Sequence, residues 1–171
     1  GGLILGSCSG GATTYGGNNP ADDSGVLSYI RIEFAGYRFA LNNEVNGLTM
    51  GGVGSGTQID HIQVSYSFDD SYEWFGGTVN SKYLLGWNCG DDGLDSDMGY
   101  RGKCQFAMIV KGACTAGATN ESGVSNRGME IDGGEVDVDS KPFALSQWRN
   151  ITLVGMAGTG NASNDQGILM R

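Results

Sequence analysis

Four aspartates, Asp91, Asp92, Asp95 and Asp97, fall within seven residues, and Glu130 and Asp132 follow later with the same two-residue step as Asp95 and Asp97. Carboxylate oxygens are hard donors, and several held together are the ligand set that calcium takes. Asp91, Asp92, Asp95 and Asp97 are therefore the expected metal ligands, with calcium as the expected cofactor. The spacing is not that of an EF-hand, because Gly93 comes too early and no Glu stands at the twelfth position. The plainer reading is a solvated acidic loop that keeps the surface soluble and discourages lateral sheet pairing. Trp74, in Glu73-Trp74-Phe75-Gly76-Gly77, is the second candidate. An outward indole beside carboxylates suits a sugar ring, with the ring face stacked and the hydroxyls hydrogen-bonded. Trp74, Asp95, Asp97, Glu130 and Asp132 are the expected ligand-binding residues, and no residue is assigned to catalysis. His61 is the only histidine. Its place in Asp60-His61-Ile62 reads as strand surface rather than as a general base.

These groups must be carried by short strands. Glycine supplies 31 of 171 residues with only two prolines, and no long window has helical periodicity. Tyr29-Ile-Arg-Ile-Glu-Phe-Ala-Gly36 returns as His61-Ile-Gln-Val-Ser-Tyr-Ser-Phe68. It returns more loosely as Lys82–Cys89, Gln105–Gly112 and Asn150–Gly155. A second phrase alternates with it: Asn46–Gly52, Tyr72–Gly77, Gly93–Gly99, Arg127–Gly134 and Gln166–Arg171. Ile62 and Leu84 are 22 residues apart, Leu84 and Met108 are 24, and Trp74 and Asp95 are 21. Recurrence at this interval marks a solenoid. The chain is expected to be all-β, a parallel β-helix (solenoid) with coils of about 22 residues; a β-sandwich is the alternative. Residues 1–171 read as one domain, and the start at Gly1-Gly2-Leu3 looks like a mature product or an excised piece of a longer chain.

Period-two alternation assigns an interior face to Ile30, Ile32 and Phe34, to Ile62, Val64 and Tyr66, to Leu48 and Met50, and to Met129 and Ile131. Aligning the glycine pair of Gly76-Gly77 with Gly51-Gly52 puts Phe75 inside and Trp74 outside. Two longer steps predict loops at Gly36–Gly47 and Ala113–Asn126.

Composition narrows the partners. The net charge of −9 argues against nucleic acid and anionic membrane surfaces, which require basic patches. No apolar run approaches the ~20 residues of a membrane span. Four cysteines, Cys8, Cys89, Cys104 and Cys114, contain no Cys-x-x-Cys, so disulfides are expected ahead of a metal site, with buried free thiols as the alternative.

The strings Ser24–Gly36, Asn43–Gly54, Glu73–Asn80 and the acidic Asp91–Asp97 stretch resemble secreted or lipid-anchored bacterial β-helix proteins of the pectin-lyase-like class. The resemblance runs from about Gly1 to Val110, and the longer segment expected between Leu5 and Tyr15 is missing. It implies right-handed coiling and a secreted or cell-surface location, and little about activity. Enzymes of that class give two patterns to compare. Gly90-Asp91-Asp92 is similar to one piece of a polygalacturonase-like site, but its Gly-His-Gly partner is absent and Arg101-Gly102-Lys103 sits in a turn-like context. A pectate-lyase-like site would put calcium on the aspartates with Arg101 nearby. The leading expectation is a non-catalytic extracytoplasmic binding or scaffold module. It would recognise a glycan or a protein partner with help from calcium. A polysaccharide lyase or glycoside hydrolase, and a structural subunit whose partner caps a coil end, are the alternatives.

Overall fold

The structure is a computed structural model, and it describes residues 3–5, 13–40, 43–112, 127–133, 139, 141–155 and 167–171. The described residues contain strands and no helix, so no helix is long and apolar enough to cross a membrane. Ten strands make two parallel five-stranded sheets. Long strands alternate along the chain with short ones. The long set is β3 (Val26–Glu33), β7 (Gln58–Ser65), β9 (Asn80–Trp87), β11 (Lys103–Val110) and β13 (Gln147–Val154), stacked in that order. The short set is β6 (Leu48–Gly51), β8 (Tyr72–Phe75), β10 (Leu94–Asp97), β12 (Met129–Ile131) and β14 (Ile168–Met170), also stacked in chain order. Each coil of the chain thus lays one long and one short strand on their counterparts in the coil before, which is a parallel β-helix. Two antiparallel pairs accompany it: β1 (Leu3–Leu5) with β2 (Thr13–Tyr15), and β4 (Tyr37–Ala40) with β5 (Asn43–Val45). The second pair occupies the predicted Gly36–Gly47 insertion. The predicted Ala113–Asn126 loop lies outside the described residues.

The interior is built from columns of like residues. Ile62, Val64, Leu84, Ala107 and Ile109 from the long strands meet Met50, Tyr72, Trp74, Leu94 and Met129 from the short ones, all buried. Columns this tight leave no room for extra atoms. A Cβ on Gly86 would stand 2.7 Å from Ile109 Cδ1 and 2.8 Å from Ser71 Oγ, so any larger residue must displace these buried side chains.

A left-handed residue bends each long strand. Tyr29, His61, Tyr83, Phe106 and Asn150 have φ between 51° and 61°, and the inter-strand pairing skips every one of them. Each costs roughly 1–2 kcal/mol relative to ordinary backbone. The four rings among them leave the coil and stack on its outside. Tyr29 lies 4.4 Å from His61, His61 4.5 Å from Tyr83, and Tyr83 5.2 Å from Phe106, ring centre to ring centre. Offset stacking contributes about 0.5–1.5 kcal/mol per pair, which offsets much of the strain.

Left-handed turns also overturn the interior placing of Phe34 and Tyr66, the 24-residue step from Leu84 to Met108 and the outward placing of Trp74. Phe34 and Tyr66 follow the strand ends with φ of 55° and 56°, point outward and stack on each other at 5.1 Å. Met108 is exposed because the residue paired with Leu84 is Ala107. Trp74 is fully buried, since Met50 pairs with Trp74 rather than with Phe75. A slip of one residue exchanges the two faces of a strand.

Candidate functional site: a carboxylate cluster on the short-strand sheet

The outer face of the short-strand sheet carries a ladder with one side chain from each coil. Thr49, Glu73, Asp95, Glu130 and Leu169 follow one another in register along β6, β8, β10, β12 and β14. Just before the strands, the same register stacks Asn46, Asp70, Asp92 and Arg127. The coil repeat therefore sets like charges beside each other. The ligand oxygens of Asp70, Glu73 and Asp95 all lie within 4.8 Å of one another, as do those of Asp69, Asp70 and Asp91.

The hydrogen bonds divide this cluster into two ends. At one end, Asp92 Oδ1 accepts from the Arg127 amide at 2.6 Å, and Asp92 Oδ2 faces Arg127 Nη1 at 3.6 Å. The Asp92 carboxyl also hydrogen-bonds Glu130. Glu130 takes Arg127 and Arg171 as ion partners, and Asp132 pairs with Arg171 Nη2 at 2.7 Å. Lys111 is buried behind this end, donating to Cys89 Sγ at 3.1 Å and to the Asp91 carbonyl. At the other end, Asp70 Oδ1 accepts the Asp92 amide at 2.7 Å, and Asn46 Nδ2 donates to Glu73 and to Thr49 Oγ1 at 3.2 Å. Asp95 Oδ1 and Asn46 Oδ1 are sealed from solvent without a hydrogen-bond partner.

Burial and mutual repulsion resist ionisation here. Burial pushes Asp70 and Asp95 well above the ordinary aspartate value of 3.8, and each is raised further by the other carboxylates, Glu73 among them. Asp92 is pushed up to about 8 by burial, by its hydrogen bond with Glu130 and by Asp91, against the opposing pull of Arg127 and Lys111. Asp97 is raised chiefly by burial, while its acceptance of the Met98 amide lowers it.

Two of the four expected metal ligands, Asp91 and Asp95, fall in the three-carboxylate groups. Asp92 instead turns to Arg127 and Glu130, and Asp97 to its neighbour's amide. Glu130 and Asp132 lie on the Arg171 side. Trp74 leaves the site altogether: it packs against Tyr72, Tyr100 and Trp148 inside the coil and offers no face to a sugar. The residues that sequence reasoning missed are Asp69, Asp70, Glu73 and Asn46. The signal was present, because Asp69, Asp70 and Glu73 precede Asp91, Asp92 and Asp95 by the same 22 residues that separate Ile62 from Leu84.

The expected disulfides do not include Cys89 or Cys104, which are buried free thiols; burial pushes the Cys104 thiol up to about 12. Cys8 and Cys114 lie outside the described residues.

The chemistry available follows from these contacts. A set made only of carboxylates suits a hard cation. The carboxyl pair at Asp92 and Glu130 is in direct hydrogen-bond contact. That is closer than the ~5 Å that retaining glycosidases keep between their two carboxyls.

No curated protein and no solved structure gives a significant match to the chain. The model of the pectate-lyase-like β-helix domain matches residues 6–171. Its description agrees with the stacked long and short strands, and the chain belongs to the pectate-lyase-like β-helix domain family.

Proposed function

We propose that this β-helix is a non-catalytic, extracytoplasmic binding module that takes a divalent cation, calcium by its chemistry, between Asp70, Glu73 and Asp95. The cation supports the outer face of the short-strand sheet as a platform for a glycan or a protein partner. The observation that carries this reading is the convergence of three carboxylates within 4.8 Å, one of whose oxygens, Asp95 Oδ1, is sealed without a donor. Like charges at such a distance are costly unless protons or a cation offset them. Carboxylate oxygens without thiol or imidazole favour calcium or magnesium over zinc, and a set of protein oxygens alone suits calcium better than magnesium, which keeps several of its waters.

Engagement of the three bases packed on the acidic ladder supports a binding role there over a lyase that would draw its base from them. Arg127 is held by Glu130 and Asp92, Arg171 by Glu130 and Asp132, and Lys111 by Cys89 and a backbone carbonyl. A base must be free to take a proton from substrate.

Calorimetric titration of metal-stripped protein with calcium tests the site. Saturable binding in the ~0.1–1 mM range typical of extracellular modules is expected. Absence of heat and of any thermal shift at 10-fold higher calcium, roughly 10 mM on that same scale, overturns the proposal.

A further inference from the structure

We infer that Asn46 completes the cation site, its side-chain carbonyl acting as a neutral ligand beside Asp70, Glu73 and Asp95, so that one ion clasps three successive coils. The inference rests on the proposed cation site and deepens it.

Asn46 is only 5 % exposed. A buried amide ordinarily satisfies both ends. Here the Nδ2 end is used twice, on Glu73 and on Thr49 Oγ1, while Oδ1 faces no donor. The orphaned oxygen sits on a side chain already bound to one candidate ligand, Glu73. Its residue also stacks one coil before a second, Asp70, since the Gly47 amide donates to the Asp70 carbonyl at 2.8 Å. On the far side of Asp70 and Glu73, Asp95 Oδ1 is orphaned as well. Two sealed oxygens without donors thus flank the same pair of carboxylates, one from the coil before and one from the coil after. A cation between them satisfies both once the Asn46 amide turns its Oδ1 end toward Glu73.

The chemistry gives Asn46 a definite motion. Without a cation, the amide group must present its NH2 to the Glu73 carboxylate, because the carbonyl would be repelled. Once a cation neutralises Glu73, a half-turn of the amide about its terminal torsion, a soft two-fold rotation, directs Oδ1 to the ion. A neutral fourth ligand also sets the charge. Three carboxylates and one carbonyl give −3, which a divalent ion leaves near balance and a trivalent lanthanide balances fully. A fourth carboxylate in place of the amide adds charge and affinity.

Calcium calorimetry and terbium luminescence on the metal-stripped protein test this, using wild type, Asn46→Ala, Asn46→Asp and Asp95→Asn. Removing a ligand at Asn46→Ala should weaken calcium binding by about 10- to 100-fold. Asn46→Asp keeps an oxygen and adds a charge, so it should tighten calcium by roughly 10-fold. If Asp95→Asn abolishes binding while both Asn46 variants bind like wild type, the role of Asn46 is refuted and the cation site stands. If wild type itself binds neither ion, the site and the role of Asn46 fall together. Should Asn46→Ala fail to fold, Asn46→Asp decides alone: unchanged or weakened affinity refutes the inference.

Discussion

Asp95→Asn is the sharpest test of the carboxylate cluster, because the cation-free and cation-loaded proteins should respond in opposite directions. The Asp95 ligand oxygen lies within 4.8 Å of those of Asp70 and Glu73. At that distance two full charges repel by about 3.5 kcal/mol at an effective dielectric of ~20. Two such neighbours would cost about 7 kcal/mol if all three ionised. The protein escapes part of this by binding protons. Holding a proton at pH 7 on an ordinary aspartate costs about 4.2 kcal/mol, from ~1.4 kcal/mol per unit over roughly three units. Relief from the substitution is therefore capped near 4 kcal/mol, and burial of the new amide takes back some of it.

The expected outcome is that cation-free Asp95→Asn is more stable than wild type by about 1–3 kcal/mol. At ~2–4 °C per kcal/mol for a chain of this size, its melting temperature rises by roughly 2–12 °C. Calcium at ~100 times its dissociation constant should stabilise wild type by about 2.7 kcal/mol, and should do little for the variant. Scanning calorimetry at pH 7, with chelator and then with excess calcium, measures both. A destabilised cation-free variant would refute the reasoning, since it would mean that Asp95 is ionised and held by a partner rather than repelled by its neighbours.

The raised carboxyls predict a pH dependence for the metal-stripped protein. Asp92 moves from 3.8 to about 8 on folding, so its contribution is complete below pH 3.8 and is lost as pH rises through 8; thermal melts across that window should show falling stability. Trp74→Ala should cost about 3–5 kcal/mol in denaturant unfolding, as expected for an emptied core site, whereas a sugar-stacking residue would cost little. Tyr83→Gly should be less destabilising than Tyr83→Ala by up to ~1–2 kcal/mol, because glycine relieves the left-handed backbone at φ 55° while both lose the ring stack; equal losses would mean that the backbone holds no strain there. Cys89 and Cys104 should both alkylate completely after unfolding without reductant, as peptide mass spectrometry would detect.

The coil was legible because its core repeats itself. Ile62 and Val64 recur as Leu84 and Gly86 at a constant step, and constant step plus alternation is enough to define a solenoid with an inside. Parity was not legible, because left-handed residues reset it. Alternation carried from Ile30 and Ile32 to Phe34 predicts burial, but Phe34 turns the chain and points away. The glycine pairs misled in the same way. Gly52 aligns with Gly76, not Gly77, and the equivalent position in the next coil is Met98, with φ of 51°. Only the left-handed conformation is common to these three positions, so matching glycine to glycine shifted β8 by one and turned Trp74 outward. The acidic site was half read for a different reason. Asp91–Asp97 stands out as a cluster along the chain, whereas Asp69, Asp70 and Glu73 join it only when the coil repeat is applied across the chain.

Stacking like upon like has opposite consequences for the two outer ladders. Rings at Tyr29, His61, Tyr83 and Phe106 attract one another at 4.4–5.2 Å, so that ladder accounts for its own persistence and needs no ligand. Carboxylates at Glu73, Asp95 and Glu130 repel at the same repeat, so that ladder persists only with something else present. Arg127 and Arg171 supply the compensation at Glu130. Toward Asp70, Glu73 and Asp95 the surrounding charges are mostly further carboxylates, and the solenoid could have removed the conflict with a single neutral residue. Physical economy thus separates the two ladders: the aromatic one is held by its own contacts, whereas the acidic one carries a repulsion that bound protons or a cation must offset.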